Sequence, residues 1–280
     1  MEIYRRDPLS DEPAEREFDV IARIARRFPA IGDDAAVLTS GAGRLLATTD
    51  TLVQGVDWRG DWSTAADVGW KAAMVNVSDI AAMGGRTMWL LIALVVGPGF
   101  DIDGFFDGVE EACAQARCEV VGGDLSTGST TVVSVTALGY AQRPVLRSGA
   151  SPGDTVFVSG PLGAAARDLR TGGGPTHRRP TAYLGPAPSG ATAMIDVSDG
   201  LVADCFHVAD ASGVCVALDG VPVADGATLG EALYGGDDYV LVACGDVGVA
   251  GWVRIGTCVA GAGVTYAGAP LERRGWEHAL

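Results

Sequence analysis

Residues 63–99, STAADVGWKAAMVNVSDIAAMGGRTMWLLIALVVGPG, set the architecture. Ser63 and Thr64 are capping residues and Gly84-Gly85 is a stop, so the spacing predicts a helix from about Ala65 to Met83. Met88 to Val96 is an unbroken apolar run closed by Gly97-Pro98-Gly99, which reads as a buried strand. Helix followed by buried strand is the repeating step of α/β proteins. The alternation continues on both sides. Upstream, Glu15 to Phe28 has helical spacing and Arg44 to Asp50 reads as a strand. Downstream, Phe105 to Arg117 is helical, Val120-Val121 leads into Gly122-Gly123-Asp124, and Thr130 to Tyr140 alternates as a strand. Arg147 to Asp154 is polar and rich in turn formers, so the domain boundary is placed there, giving 1–148 and 149–280. The second half restarts with a strand at Thr155 to Ser159 and a helix from about Leu162 to Arg170. Gly172 to Pro188 is a Gly/Pro-rich loop. Met194-Ile195 enters Asp196, a helix follows from Leu201 to about Ala211, and Val214 to Leu218, Tyr239 to Ala243 and Trp252 to Val259 read as strands. The expected class is mixed α/β (α+β) in two domains.

The chain has 280 residues and a formal net charge of −15. Its 35 acids divide into 25 Asp and 10 Glu. Asp favours caps, turns and loops, whereas Glu favours helices, so the excess points to shaped turns that hold carboxylates. Such loops bind hard cations. The acidic balance argues against nucleic acid as a partner. Hydrophobic content of 48% argues against disorder. No apolar run is long enough to span a bilayer and Met1 to Phe18 is too charged for a signal peptide, so no membrane partner and a cytoplasmic location are expected. The six Cys form no C-x-x-C pair and sit in apolar surroundings, which fits free buried thiols.

The P-loop, the G-x-G-x-x-G fingerprint, the protein-kinase signatures and H-E-x-x-H are all absent. What remains is a series of Asp-bearing motifs read as turns: Ile31-Gly32-Asp33-Asp34, Thr48-Thr49-Asp50-Thr51, Asn76-Val77-Ser78-Asp79, Gly122-Gly123-Asp124, Asp196-Val197-Ser198-Asp199-Gly200-Leu201 and Gly235-Gly236-Asp237-Asp238. Carboxylates beside hydroxyls suit Mg²⁺, which keeps waters and bridges phosphates. Each motif also has a plain structural reading. Asp199 could be the N-cap of the following helix, Asp79 a partner of Arg86 or Lys71, Asp237-Asp238 a hairpin turn, and Trp276 a packed aromatic. Six such motifs together are harder to explain by turn chemistry.

In order and wording these motifs resemble the thiamine-monophosphate kinase family, of the superfamily that includes aminoimidazole ribonucleotide synthetase and selenophosphate synthetase. Arg147-Ser148-Gly149-Ala150 adds a seventh match, and the likeness runs from Phe18 to His278. The resemblance implies an aminoimidazole ribonucleotide synthetase-like fold and a homodimer whose N-terminal domains form a central β-barrel. It implies ATP as co-substrate, several Mg²⁺ ions, and transfer of the γ-phosphoryl group to thiamine phosphate without a covalent intermediate. Metal positions match Asp34, Thr48, Thr49, Asp50, Asp79, Asp124, Asp196 and Asp199, with Asp34, Asp50, Asp79, Asp124 and Asp196 as the catalytic acids. ATP contacts match Gly123, Asp124, Arg147 and Ser198. Substrate contacts match Asp57, Asp237 and Trp276.

The departures fall on the acceptor side. Asp57 stands where the family usually has His, and Asp237 where it usually has Glu. Ser189 replaces the Arg of a Pro-x-Pro-Arg segment, and only Gly190 to Ile195 separate that segment from Asp196, too few for the helix expected there. A paralogous enzyme acting on another small acceptor is therefore the alternative. A non-catalytic nucleotide-binding protein is a third reading, but every metal Asp is kept.

Overall fold

The computed structural model describes residues 33, 35–40, 43–246, 248 and 250–277. The helical pattern at Glu15 to Phe28, and Asp34, lie outside them.

Thr64 is the N-cap of helix α1, Ala65–Ala82. Its hydroxyl accepts the Asp67 N–H while the Asp67 carboxylate accepts the Thr64 N–H, so two donors that the helix cannot satisfy itself are paired. The chain leaves the helix at Met83 and turns through Gly84 at φ 69°. Strands β1 (Ala36–Ser40) and β2 (Gly43–Val53) precede α1, and β3 (Arg86–Val96), α2 (Ile102–Ala116), β4 (Glu119–Thr127) and β5 (Val132–Ala141) follow it. The strands form one open sheet in the order β1-β2-β5-β3-β4, antiparallel except for β3 with β4. Alternate residues, among them Leu46, Leu52, Ile92 and Val135, are buried together with Met74, Ile80 and Phe105 of the helices. The opposite face leaves Leu91 and Tyr140 in solvent. Edge strand β4 is exposed along its whole length.

Helices α1 and α2 approach at two glycines. A Cβ on Gly69 would lie 2.0 Å from the Phe105 carbonyl oxygen, and one on Gly108 would lie 1.9 Å from that of Ala66. Backbone cannot swing aside as a side chain can. Gly108→Ala is therefore expected to cost about 2–3 kcal/mol through overpacking. The check is the urea midpoint, which should fall with the slope unchanged. An unaltered midpoint would mean that the helices part at no cost.

The second sheet is built from β6 (Thr155–Val158), β7 (Ala191–Asp196), β8 (Cys215–Leu218), β9 (Leu241–Gly245), β10 (Val253–Val259), β11 (Gly263–Tyr266) and β12 (Ala269–Pro270). Its order is β12-β11-β8-β10-β6-β9-β7. Helices α3 (Ala164–Arg170), α4 (Pro175–Arg178), α5 (Leu201–Ser212) and α6 (Leu229–Tyr234) connect these strands. Val156, Ile195, Leu201 and Ile255 belong to its core. Met194, Leu241 and Ala243 pack with Ala82 at the end of α1, so both halves bury that helix.

The mixed α/β class is as the pattern predicts, and the strands form two sheets. Several motifs are not turns, however. Gly122-Gly123-Asp124 lies inside β4, and Thr48-Thr49-Asp50 lies inside β2, in keeping with the strand read over Arg44 to Asp50. Glycine pairs punctuate loops, but here the parallel ladder to β3 holds them extended. Asp237-Asp238 joins α6 to β9 and is no hairpin turn. The short helices α4 and α6 and strands β1, β11 and β12 carry too little periodicity to be read in advance. All six cysteines are free thiols, five of them buried. Among the described residues no helix is long and apolar enough to cross a membrane.

Candidate functional site

Three Asp motifs meet around α1. Thr48 and Asp50 are two apart on β2 and share the face toward the helix. The Thr48 hydroxyl donates to Asp79 Oδ2 at 2.6 Å, and the Asp50 N–H donates to Asn76 Oδ1 at 3.1 Å. Ser78, the neighbour of Asp79, donates to Asp196 Oδ2 at 2.6 Å and so ties the first half to the last residue of β7. Asn76, Ser78 and Asp196 are buried, at 0%, 0% and 2% exposure. Thr48, Asp50, Asp79 and Asp196 offer only carboxylate and hydroxyl oxygens, a donor set suited to a hard divalent cation.

The turn after Asp196 is a hub. The Asp237 N–H donates to the Ser198 carbonyl at 2.8 Å, and the Trp276 N–H donates to the Asp199 carbonyl at 2.9 Å. Three distant segments thereby converge on residues 196–200. Asp199 is not the N-cap, because Gly200 fills that place. The Asp204 carboxylate, one turn into α5, accepts the N–H groups of Asp199 and Gly200. Ligand atoms of Asp199, Asp204 and His207 lie within 4.8 Å of one another. Burial and then the charges of Arg147 and Arg273 push His207 down to about 3, so its ring is neutral near pH 7. Arg147 lies at the same end, where its N–H donates to Asp33 Oδ1 at 2.7 Å and its carbonyl accepts from Ser212.

Asp237 is held by several side chains. Lys71 Nζ lies 2.7 Å from Oδ2, His177 Nδ1 lies 3.0 Å from the same oxygen without hydrogen-bond alignment, and the Tyr239 hydroxyl donates to Oδ1 at 2.9 Å. Burial alone would raise this acid, but the Lys71 charge and the contacts of His177 overcome it and hold Asp237 well below the usual carboxylate range. Asp237 and Tyr239 are both left-handed, at φ 64° and 50°, a strained conformation for residues with a Cβ. Burial, and then the charges of Asp237, Asp50 and Asp196, raise the Tyr239 phenol, which puts its ring among the acids of both halves. Lys71 is thus bound to Asp237, which removes it as the plain structural partner of Asp79. The Asp57 carboxylate closes its own turn by accepting the Val53 N–H at 2.7 Å, while its carbonyl lies 3.4 Å from Lys71 Nζ.

Thr49, Gly123 and Asp124 stand apart. Register runs Thr51–Ser134–Ala93–Asp124 across four strands, and Asp50–Val135–Ile92–Gly123 in the next row. The second row faces α1, so Asp124 stands on the other face, and three strand spacings of about 4.8 Å put it roughly 14 Å from Thr51. Gly123 lies so close to β3 that a Cβ would meet the Ile92 oxygen at 1.9 Å. Thr49 shares the outer face, bonded to Val135 and Thr136. The structure thus gathers Thr48, Asp50, Asp79, Asp196 and Asp237, and holds Thr49 and Asp124 on the other face of the sheet, with Gly123 out on edge strand β4. Lys71, His177 and Tyr239 were not singled out as site residues. Lys71, as the sole lysine and inside an apolar helix, was the available signal.

Asp238 serves the scaffold. It is 8% exposed and accepts the N–H groups of Gly163 and Ala165 at the start of α3. Burial outweighs those bonds and pushes it up to about 6. A raised carboxylate means that the folded chain binds a proton that the unfolded chain has lost. Stability should therefore fall between about pH 4 and pH 6, by up to about 3 kcal/mol. Melts of Asp238→Asn should lack that slope, and a variant that tracks the parent would contradict the assignment.

Residues 32–141 match the family model described as AIR synthase related protein, N-terminal domain. The chain is 41% identical to the thiamine-monophosphate kinase of Mycobacterium tuberculosis (strain ATCC 25618 / H37Rv), over 88% of this chain and 85% of that one. It is 36% identical to the thiamine-monophosphate kinase of Aquifex aeolicus (strain VF5), over 94% and 97%. A solved structure of AaThiL complexed with AMPPCP and TMP superposes with a TM-score of 0.87 at 34% identity, covering 94% of this chain and 97% of that one.

Proposed function

The chain belongs to the thiamine-monophosphate kinase family, and from that premise we propose that it transfers the γ-phosphoryl group of ATP to the phosphate of thiamine phosphate. The observation that carries this reading is the meeting of Asp50, Asp79 and Asp196 around α1, with Thr48 and Ser78 fixing two of the carboxylates. The acceptor is already an anion near neutral pH, so transfer requires no general base. What it requires is alignment of two polyanions, which is catalysis by positioning and charge compensation. Asp34, Thr48, Thr49, Asp50, Asp79, Asp124, Asp196 and Asp199 are the residues proposed to hold Mg²⁺. When bound, Mg²⁺ would offset the negative charge of the phosphates. Thr48 and Ser78 hold Asp79 and Asp196 in one orientation before substrate arrives. Arg147 supplies a fixed cation for a phosphate, and Ser198 contributes its hydroxyl beside the hub turn.

We propose 1–148 and 149–280 as the two domains. A second copy packed on the outer face of the first sheet would cover Leu91, Tyr140 and the open length of β4. It would place Asp124, with edge strand β4 that carries Gly123, at the seam between copies. This accounts for their distance from the acids of their own chain, and it is the homodimer we propose.

The test is turnover of ATP and thiamine phosphate, with the diphosphate product followed directly. We expect product with Mg²⁺ and loss of at least about 10³-fold in rate with excess chelator, since the acids would then repel ATP. ATP turnover on another acceptor only would favour the paralogous reading. The observation that speaks for that reading is that Asp237 and Asp57 already spend their carboxylates on Lys71, Tyr239 and Val53.

A further inference from the structure

A cavity of about 940 Å³ opens beside α1 on a side that none of Asp50, Asp79 and Asp196 lines. Arg86 at the start of β3, Arg117 at the end of α2 and Arg143 after β5 all border it. All three are exposed, and among the described residues none has a carboxylate partner. Among the described residues Arg59, Arg167, Arg170, Arg179, Arg254 and Arg273 each form an ion pair with an acid, while Arg44 does not. In a chain of net charge −15, three such arginines border this one cavity.

Two further observations point to a ligand. Thr87 borders the cavity at 3% exposure, and its hydroxyl has no hydrogen-bond partner among the described residues. A buried hydroxyl left without a partner carries a desolvation cost that a bound acceptor would relieve. Arg117 ends α2 at φ 57° and ψ 46°, the left-handed place that glycine usually fills. Strain of this kind is kept where the side chain is needed. Gln115 and Gln142 add amide groups to the same wall. The volume suits a small molecule.

We infer that this cavity is a second anion site, for a small diphosphate-bearing molecule, separate from the acid-lined site around α1. Guanidinium forks match phosphate oxygens two at a time, and three of them balance the charge of a diphosphate. The chain runs from Ser189 directly into β7, so no helix covers the opening.

The test is calorimetric titration of the full-length protein with inorganic pyrophosphate in EDTA, at fixed ionic strength. Without divalent cations the acid cluster repels pyrophosphate, so binding reports the arginine cavity. One binding event is expected, and Arg117→Gln/Arg143→Gln should weaken it by about 10-fold or more. If the double variant does not fold, Arg143→Gln alone, on an exposed loop, should weaken it by about 3-fold or more. Thiamine diphosphate and inorganic phosphate form the other arms. Tighter binding of thiamine diphosphate assigns the site to an organic diphosphate such as the reaction's product. Binding equal to or weaker than pyrophosphate assigns it to the inorganic ion. No pyrophosphate binding, or binding that the arginine variants leave unchanged, overturns the proposal. Turnover is not the readout, so failure here leaves the kinase reading standing.

Discussion

Asp79→Asn should lower kcat by about 10²- to 10³-fold while leaving the fold intact. The substitution keeps the side-chain shape, and an amide oxygen can still accept the Thr48 hydroxyl that now lies 2.6 Å from Oδ2. The packing of α1 against β2 therefore has no reason to change. What is lost is one full negative charge at the point where the two halves meet, beside the Ser78 that holds Asp196. A reaction that depends on placing charges should feel that loss in the transition state, so kcat and kcat/KM should fall together. The measurement is steady-state turnover at saturating ATP and Mg²⁺, with a thermal melt alongside. Activity within about 3-fold of the parent would remove Asp79 from the machinery.

Lys71→Met should destabilise the protein by about 3–5 kcal/mol, because breaking a buried pair strands the other charge. Lys71 is 3% exposed, and among the described residues its partner carboxylate has no other full positive charge nearby unless His177 is protonated. Asp237 also has the Asp238 carboxylate beside it. Removing both charges at once should restore much of the loss, so Lys71→Met/Asp237→Asn is expected within about 2 kcal/mol of the parent. Sign follows from linkage. Asp237 is depressed in the folded state, so its contribution is present above the ordinary carboxylate range and is lost as pH falls through and below it. In Lys71→Met that acid-side loss should shrink. Urea midpoints at pH 7 and at about pH 2, below the ordinary carboxylate range, check both statements, and equal midpoints for parent and Lys71→Met would show the pair to be inert.

Local signals carried the helix Ala65–Ala82 to within one residue, because Thr64 caps it and the Gly pair stops it. The apolar run of β3 was equally plain, since burial on one element needs no distant partner to be read. Gly122-Gly123-Asp124 was misread as a turn for the converse reason. Only the ladder to β3 shows that its glycines allow close approach. The meeting of Thr48, Asp79 and Asp196 was anticipated through the family likeness. The orientation of Asp124 was not, because the face of a strand depends on register across four strands. Nor was the Lys71–Asp237 pair, whose members are 166 residues apart in sequence. Burial forces that pairing, and burial belongs to the assembled chain.

Helix α1 belongs to both sheets. Its Ala82 packs with Met194 and Leu241, and its Ser78 hydroxyl is spent on Asp196. Neither half can melt and leave the other whole, because whichever goes first strips the helix of one wall and leaves a buried hydroxyl or carboxylate unanswered. The two sheets should behave as a single cooperative unit, and a heating calorimeter should record one endotherm where a chain with two independent halves would give two.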